Sequence, residues 1–466
     1  METMKKKGTT ALFLAATILI SACSGDHGTN PGRSSDTYSP AVPASLMPPE
    51  LAWDFYPHNL TREHLLARLS EAVPKSGILT GDETWSGTVH VTGDVVVNRG
   101  LTLTIKAGTW VLVAARSDDW GVGGDEGEVD QFNPRDPPKR PSERSEIRIH
   151  GSLEVLGTRE LPVIITSDAV KPENDDWSGM LLAPDEGGAV EINRAIIEFG
   201  RYIGISSAEV TIRQSILRNM MGCVVIGFDM SAVLDHVPLE LTPTLTQNHI
   251  YNTGRNAVTI RSGAPVITHN VIRARPDMDT TGWEQGAIAT YAPTCVVIRY
   301  NYLDGGQPKP YRGEIFGEYK EYSEPQCVGL RGVCDLTFSF NTVTGSPLAL
   351  ETHAGTWSIE HNNLLPVPAP EPVAPTWLSG GSCLAVVARD WRPEPGDIYQ
   401  IEFLEQMGGL PLADVVTVPY NYWGTADPSK IEQMLWSDSS ERDFDYEPVE
   451  EAFIAEAMPN WRGFMW

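Results

Sequence analysis

The feature that most constrains this chain is a local pattern that keeps returning: an apolar residue, two intervening residues, a small or small polar residue, then an apolar residue one or two places on. It occurs at Ile192/Ala195/Ile196, Ile212/Ser215/Ile216, Leu245/Asn248/Ile250, Ile267/Asn270/Val271, Ile298/Asn301/Leu303, Phe338/Asn341/Val343, Ile359/Asn362/Leu364 and Val418/Asn421/Trp423. Successive middle positions lie 20, 33, 22, 31, 40, 21 and 59 residues apart. The shortest spacings suit one coil of three short strands and three turns, and the longer ones read as a coil or two plus inserted loops. With 42 Gly and 35 Pro in 466 residues, the composition favours many turns over long helices.

Upstream of the repeat the chain alternates. Val89, Val91, Val95, Val97, Leu101, Leu103, Ile105, Val111 and Val113 are apolar, with mostly polar residues between them and breaks at Gly93, Gly100 and Gly108. Ile147, Ile149, Leu153, Val155, Val163 and Ile165 continue the pattern past Gly151 and Gly157. This is the period of short half-buried strands joined by tight turns. The recurrent Asn has a physical use in such a coil, because stacked side-chain amides can hydrogen-bond to their counterparts above and below where water is excluded. Asn also tolerates left-handed backbone torsion, and the alternative is that each Asn only marks a turn.

The runs Gly151-Ser152-Leu153-Glu154-Val155-Leu156-Gly157-Thr158, Pro162-Val163-Ile164-Ile165-Thr166-Ser167 and Trp177-Ser178-Gly179-Met180-Leu181 carry a resemblance. So does Asn421-Tyr422-Trp423-Gly424-Thr425-Ala426-Asp427-Pro428, with a short helix expected through Ile431. Over residues 85–435 the chain resembles the right-handed parallel β-helix superfamily that includes pectate lyases. The resemblance implies an all-β solenoid and no particular reaction, since lyases, hydrolases, adhesins and scaffolds share that fold.

Lys5, Lys6 and Lys7 followed by the apolar run from Ala11 to Ile20 read as an export signal, too short to span a bilayer as a mature helix. Ile20-Ser21-Ala22-Cys23 resembles the bacterial lipobox, which implies acylation of Cys23 and anchoring by its lipid. Ser24 stands where the retention signal for the inner membrane usually has Asp, so the resemblance implies a cell-envelope protein on the outer membrane. A formal charge of −26 argues against a nucleic-acid partner. The expected organisation is a signal peptide over 1–22, a flexible tether over 23–50 and an N-terminal cap region over 51–84. In the cap region Thr61 caps a short helix carrying Leu65, Leu66 and Leu69 over the solenoid's first edge. The coil over 85–435 carries insertions at 117–145, 304–334 and 365–412, and 436–466 forms a C-terminal cap or tail.

Familiar catalytic motifs are missing from the sequence. Arg273-Ala274-Arg275-Pro276-Asp277 has part of an Arg/Pro element of pectate lyases without its second Arg, and a solvated turn is the plainer reading. Asp118-Asp119 and Asp175-Asp176 are adjacent on the chain, so neither doublet is a catalytic pair on a strand unless it lies in a turn. In the first insertion Asp118, Asp119 and Asp125 are of a kind to hold Ca2+, against the alternative of a solvated acidic loop. No cofactor is otherwise required. In the second, Tyr311, Phe316, Tyr319 and Tyr322 could stack on sugar rings and bind a polysaccharide, or fold under the loop as a satellite core. Cys327 and Cys334 are close enough in sequence for a local disulfide, the alternative being two reduced, buried thiols. The functional expectation is a lipid-anchored binding or scaffold protein. A polysaccharide lyase or glycoside hydrolase and a structural envelope protein are the alternatives, and the oligomeric state is open.

Overall fold

Period-two apolar strands with a turn every few residues wind into a parallel β solenoid. The computed structural model describes residues 41–49, 51, 55–118, 144–207, 209–227, 241–254, 256–274, 286–290, 295–306, 311–315, 318–322, 326–330, 335–346, 348–353, 356–367, 384–389, 415–437 and 443–460. Its strands form a 21-stranded and a ten-stranded sheet, and the larger one divides by register into two stacks. Stack A runs from Trp110–Val113 to Asn363–Leu365, stack B from Glu146–Ile149 to Leu435–Ser437, and stack C, the ten-stranded sheet, from Glu83–Trp85 to Thr356–Glu360. The long strand Thr88–Val97 pairs with stack A through its first half and stack B through its second. Each coil visits C, then A, then B, and the pairings within the stacks are parallel.

Alternate side chains point inward in every stack. Val111, Ile165, Ile197, Leu217, Ile250, Ile272, Leu303, Val343 and Leu364 sit level with one another along stack A and belong to one continuous core. Burying such an aliphatic side chain contributes roughly 1.5–3 kcal/mol, so the core grows with every coil.

The asparagine ladder forms as a continuous stack. Asn270 Oδ1 accepts from the backbone N–H of Asn248 at 2.9 Å and from its Nδ2 at 3.1 Å. The same pair of bonds joins Asn301 to Asn270, Asn341 to Asn301, Asn362 to Asn341 and Asn421 to Asn362. Asn248 Oδ1 continues the series to the N–H of Ser215, whose Oγ accepts from Ala195 N. The left-handed torsion falls on the residue before each Asn: Gln247, His269, Tyr300, Phe340, His361 and Tyr420 all have φ between 54° and 58°. The Asn side chain is thereby free for the ladder while its neighbour makes the corner.

Two features of the termini differ from the sequence reading. Thr61 does cap α1 (Arg62–Leu66), accepting from His64 N, but α1 is not a lid on the first edge. Leu65 and Tyr56 instead pack on the outer side of stack A, against Trp110, Leu112, Ile164, Ile196, Ile216 and Tyr251. The first end of the core is closed by Leu79 and Trp85 of the first coil, with the Trp85 indole held by Glu83 Oε2 at 2.9 Å. The edge strand Val73–Ile78 carries Pro74, Lys75 and a register shift, features that discourage strand addition. Residues 41–49, within the stretch read as a tether, also lie on stack A, where Val42 is buried with Val271, Tyr302 and Leu365. At the other end α2 (Pro428–Gln433) buries Ile431 in the core, residues 443–450 pair beside 415–421, and the tail then reaches stack A, bonding Asn363 and Thr342 through Ile454 and Ala457. Stack A is therefore buried on both faces.

Candidate functional site: a loop-bearing face and its charged corner

The three outer faces differ in kind. Stack A is covered by both chain ends, and stack C presents polar residues such as Thr211, Arg213 and Glu191 to solvent, with a 2.6 Å ion pair between the last two. Stack B lies between the corners from which the long segments leave. Residues 114–145, 274–287, 305–325 and 366–383 depart from the A-to-B corner, and 227–243 and 390–414 from the B-to-C corner. The C-to-A corner, by contrast, turns in one or two residues from Asn193 to Asn363. Along the middle of stack B's outer face Arg148, Leu181, Gly204, Val225, Thr259, Ala289, Gly329 and Glu351 occupy one row. All of that row but Leu181 and Val225 is buried, so the outer face of stack B is itself largely covered.

A dense set of ionisable groups sits where the first insertion leaves and returns. Asp94 is fully buried. Its Oδ1 accepts from Glu146 N at 2.7 Å, its own N–H donates to Asp118 Oδ1 at 3.2 Å, and its Oδ2 has no hydrogen-bond partner among the described residues. Burial pushes its carboxyl up to about 7, the charges of Asp118 and Glu146 act in the same direction, and the Glu146 N–H and Arg148 offset only part of this. Glu146 is held by Tyr202 Oη at 2.9 Å and by Arg148 Nε. One loop further on, Asp175 Oδ2 meets Arg144 Nη2 at 3.2 Å and its Oδ1 meets Arg116 Nη2 at 3.5 Å. Asp176 Oδ2 accepts from Ser167 Oγ at 2.7 Å and from Glu173 N at 3.0 Å. His90 Nε2 lies 3.0 Å from Asp168 Oδ2. Burial alone would raise the Asp168 carboxyl, but hydrogen bonds from His90 and Ala115 N–H, with the charges of His90 and Arg62, hold it below its ordinary value.

The Asp175-Asp176 doublet thus does lie in a turn, but its oxygens fasten loops to one another and to arginines. Asp118 belongs to the Asp94 group, whereas Asp119 and Asp125 lie outside the described residues. Among the described residues no set of three or more His, Cys, Asp or Glu is arranged to hold a metal ion. Tyr311, Tyr319 and Tyr322 fall in the antiparallel hairpin Tyr311–Ile315/Glu318–Tyr322, with Tyr311 paired to Tyr322 and Tyr319 to Glu314; Phe316 lies outside the described residues. The expected Cys327–Cys334 bridge is not formed. Cys327 is a free thiol at the start of strand Gln326–Leu330, buried in the core cluster. Cys295 is disulfide-bonded, to a partner outside the described residues, where Cys23 and Cys334 also lie. Arg273 is not on a solvated turn either: it projects from stack A and donates to the carbonyls of Pro48 and Pro49 at 2.6 and 3.1 Å.

The sequence reading also missed an aromatic column on the C-to-A corner. His269, Tyr300, Phe340, His361 and Tyr420 stack with centroid separations of 4.9 to 5.1 Å and interplanar angles of 11° to 19°. Each stands one residue before a ladder Asn, which was the available signal. The ring faces meet one another, so the column braces the strained corner and leaves mainly ring edges outside.

No protein-family model, curated protein or solved structure matches this chain. No described helix is long and apolar enough to cross a membrane.

Proposed function

We propose that this is a lipid-anchored envelope protein whose solenoid binds an extended ligand, with a glycan as the favoured chemistry, through the insertions that border stack B. The observation that carries the reading is the distribution of insertions. They leave the two corners that border stack B, while the C-to-A corner is pared to minimal turns and stack A is sealed. A rigid coil that carries its variable segments along one face is built as a recognition surface. The hairpin with Tyr311, Tyr319 and Tyr322 belongs to one of those insertions and carries aromatic residues of a kind suited to sugar rings. The anchor rests on the lipobox-like Ile20-Ser21-Ala22-Cys23.

The test is a polysaccharide panel with the purified mature chain carrying Cys23→Ala, read by affinity and, for cleavage, by ultraviolet absorbance and reducing ends. Tyr311→Ala with Tyr319→Ala should weaken binding by about 1–3 kcal/mol for two lost stacking contacts, leaving the far-ultraviolet spectrum unchanged. Unchanged affinity removes the hairpin from the site. Turnover of a glycan in the same panel would instead favour the lyase or hydrolase reading.

A further inference from the structure

The N-terminal end of the chain on stack A is bound in a different way from the coils it covers. From Val73 onward the solenoid is held by parallel backbone ladders in all three stacks. The backbone-to-backbone hydrogen bonds of residues 55–72 instead close within the segment itself: Leu60 to Pro57, Leu65 to Thr61, Ala67 to Glu63, Arg68 to Leu65, Glu71 to Arg68 and Ala72 to Leu69. Side chains make the attachment. Arg62 reaches the carbonyls of Ser167 and Ala169 at 2.7 and 2.9 Å, Tyr56 Oη donates to Glu198, and the Arg218 guanidinium lies 4.9 Å from the Tyr56 ring centre. Arg68 sits 4.3 Å over the Trp110 ring, and Arg273 holds the carbonyls of Pro48 and Pro49.

The strap also has a direction. Val42 and Leu46 share an apolar cluster with Tyr302 and Leu365, late coils, and with Phe453 and Met458 of the C-terminal tail, whereas Leu65 and Arg68 sit on early coils at Trp110. The end nearest Cys23 in sequence is therefore docked far from the point where the strap joins the first coil at Val73. A pull from the N-terminus meets the Val42 end first and peels the contacts one after another. The ladders of the solenoid are loaded only after the strap is gone.

We propose that residues 42–72 are a releasable strap, which lets the anchored solenoid extend its reach by unpeeling from stack A without losing a coil. Its purpose rests on the lipid-anchor reading, but the peeling step does not. When docked, only the segment after Cys23 spans the distance to the membrane. When peeled, about 30 more residues join it, and at ~3.3–3.6 Å per extended residue they add on the order of 100 Å. Tyr302 and Leu365 give the strap a docking point made partly by the C-terminal tail, so full closure requires a completed chain.

The experiment is a two-handle optical-tweezers measurement on the mature chain with Cys23→Ala. One handle is at the N-terminus and the other at Glu154→Cys, which is exposed on stack C. The expected record is a first, reversible lengthening of no more than on the order of 100 Å, set by about 30 residues, well before coils unravel. Leu65→Ser, a change confined to the strap side of the contact, should speed that first event about tenfold or more at fixed force, because a buried leucine is lost from the strap alone. The proposal is overturned if the strap and the first coils leave in one larger step, or if Leu65→Ser leaves the first event unchanged. No lipid takes part, so failure here is separate from failure of acylation at Cys23, which fatty-acid labelling reads.

Discussion

Replacing Asn270 by leucine is the most direct test of what holds the coils in register. The two side chains share a branched skeleton and leucine is the bulkier, so Asn270→Leu opens no cavity, and its effect is the lost hydrogen bonds plus any cost of fitting the larger methyl groups. Asn270 is fully buried. Its Oδ1 accepts from Asn248 N at 2.9 Å and Nδ2 at 3.1 Å, and its Nδ2 donates to Leu245 O at 2.9 Å and to Asn301 Oδ1 at 3.0 Å. After substitution Asn248 Nδ2 keeps Ile212 O and Asn301 Oδ1 keeps the Asn270 N–H, so those atoms are not stranded. The N–H of Asn248 and the carbonyl of Leu245 lose the partners shown for them. Leu245 stays in the parallel ladder with Val266–Thr268, so the Asn248 N–H is the buried group left unsatisfied, and at roughly 1–3 kcal/mol it sets an expected loss of about that size. The control is Asn98→Leu in an exposed turn, where the change should stay within about 0.5 kcal/mol. Chemical denaturation measures the difference, and hydrogen exchange should show the Asn248 amide losing protection first. Equal losses at the two positions, or an Asn248 amide as protected as before, would refute the ladder as a source of stability.

Three further outcomes follow from the geometry. Because burial raises the Asp94 carboxyl from an ordinary value to about 7, the folded state holds a proton that the unfolded chain gives up, so stability should fall as pH rises from about 4 through 7. Asp94→Asn should flatten that slope in denaturation midpoints measured across the range, and an unchanged slope would contradict it. The Glu198–Arg218 pair is wholly buried at 2.7 Å, so Arg218→Met should cost about 3–5 kcal/mol by stranding the carboxylate, and adding Glu198→Gln should restore part of it; additive losses would show that the two do not act as a pair. Cys23→Ala should abolish fatty-acid labelling and move the protein out of the membrane fraction, and continued labelling would sink the anchor reading.

The coil was legible because its determinants are local and repeat. The apolar residue three places before each Asn and the one that follows lie on the strands flanking the C-to-A corner, so the spacing of Asn248, Asn270, Asn301, Asn341, Asn362 and Asn421 is the spacing of the coils. The A-to-B corner was not legible to the same degree. Asp94, Asp118, Glu146 and Tyr202 come from four separate segments, and only the parallel register, which sets Glu146 beside Gly179 and Gly179 beside Tyr202, makes them neighbours. The Cys327 misreading has a related cause. Nearness in sequence favoured a local bridge, but Cys327 sits at the corner where the chain enters stack B and belongs to the core cluster there, level with Ala287 and Ala349.

The fate of stack A was written in the sequence in a form that a two-residue period hides. A strand with one face in water alternates, yet Trp110-Val111-Leu112-Val113, Val163-Ile164-Ile165 and Ala195-Ile196-Ile197 are apolar at every position. Such runs are what parallel strands show when both faces are covered. In a solenoid one face is always covered by the core, so an unbroken apolar strand requires a second layer outside. Stack C has no such runs, and Thr244-Leu245-Thr246 alternates as an open face should. The outer layer on stack A had to come from chain outside the repeat, and the apolar residues available there are Val42, Leu46, Tyr56 and Leu65 on one side and Phe453 and Met458 on the other. Both ends of the chain are thus committed to that face, and the long insertions leave instead from the corners that border stack B.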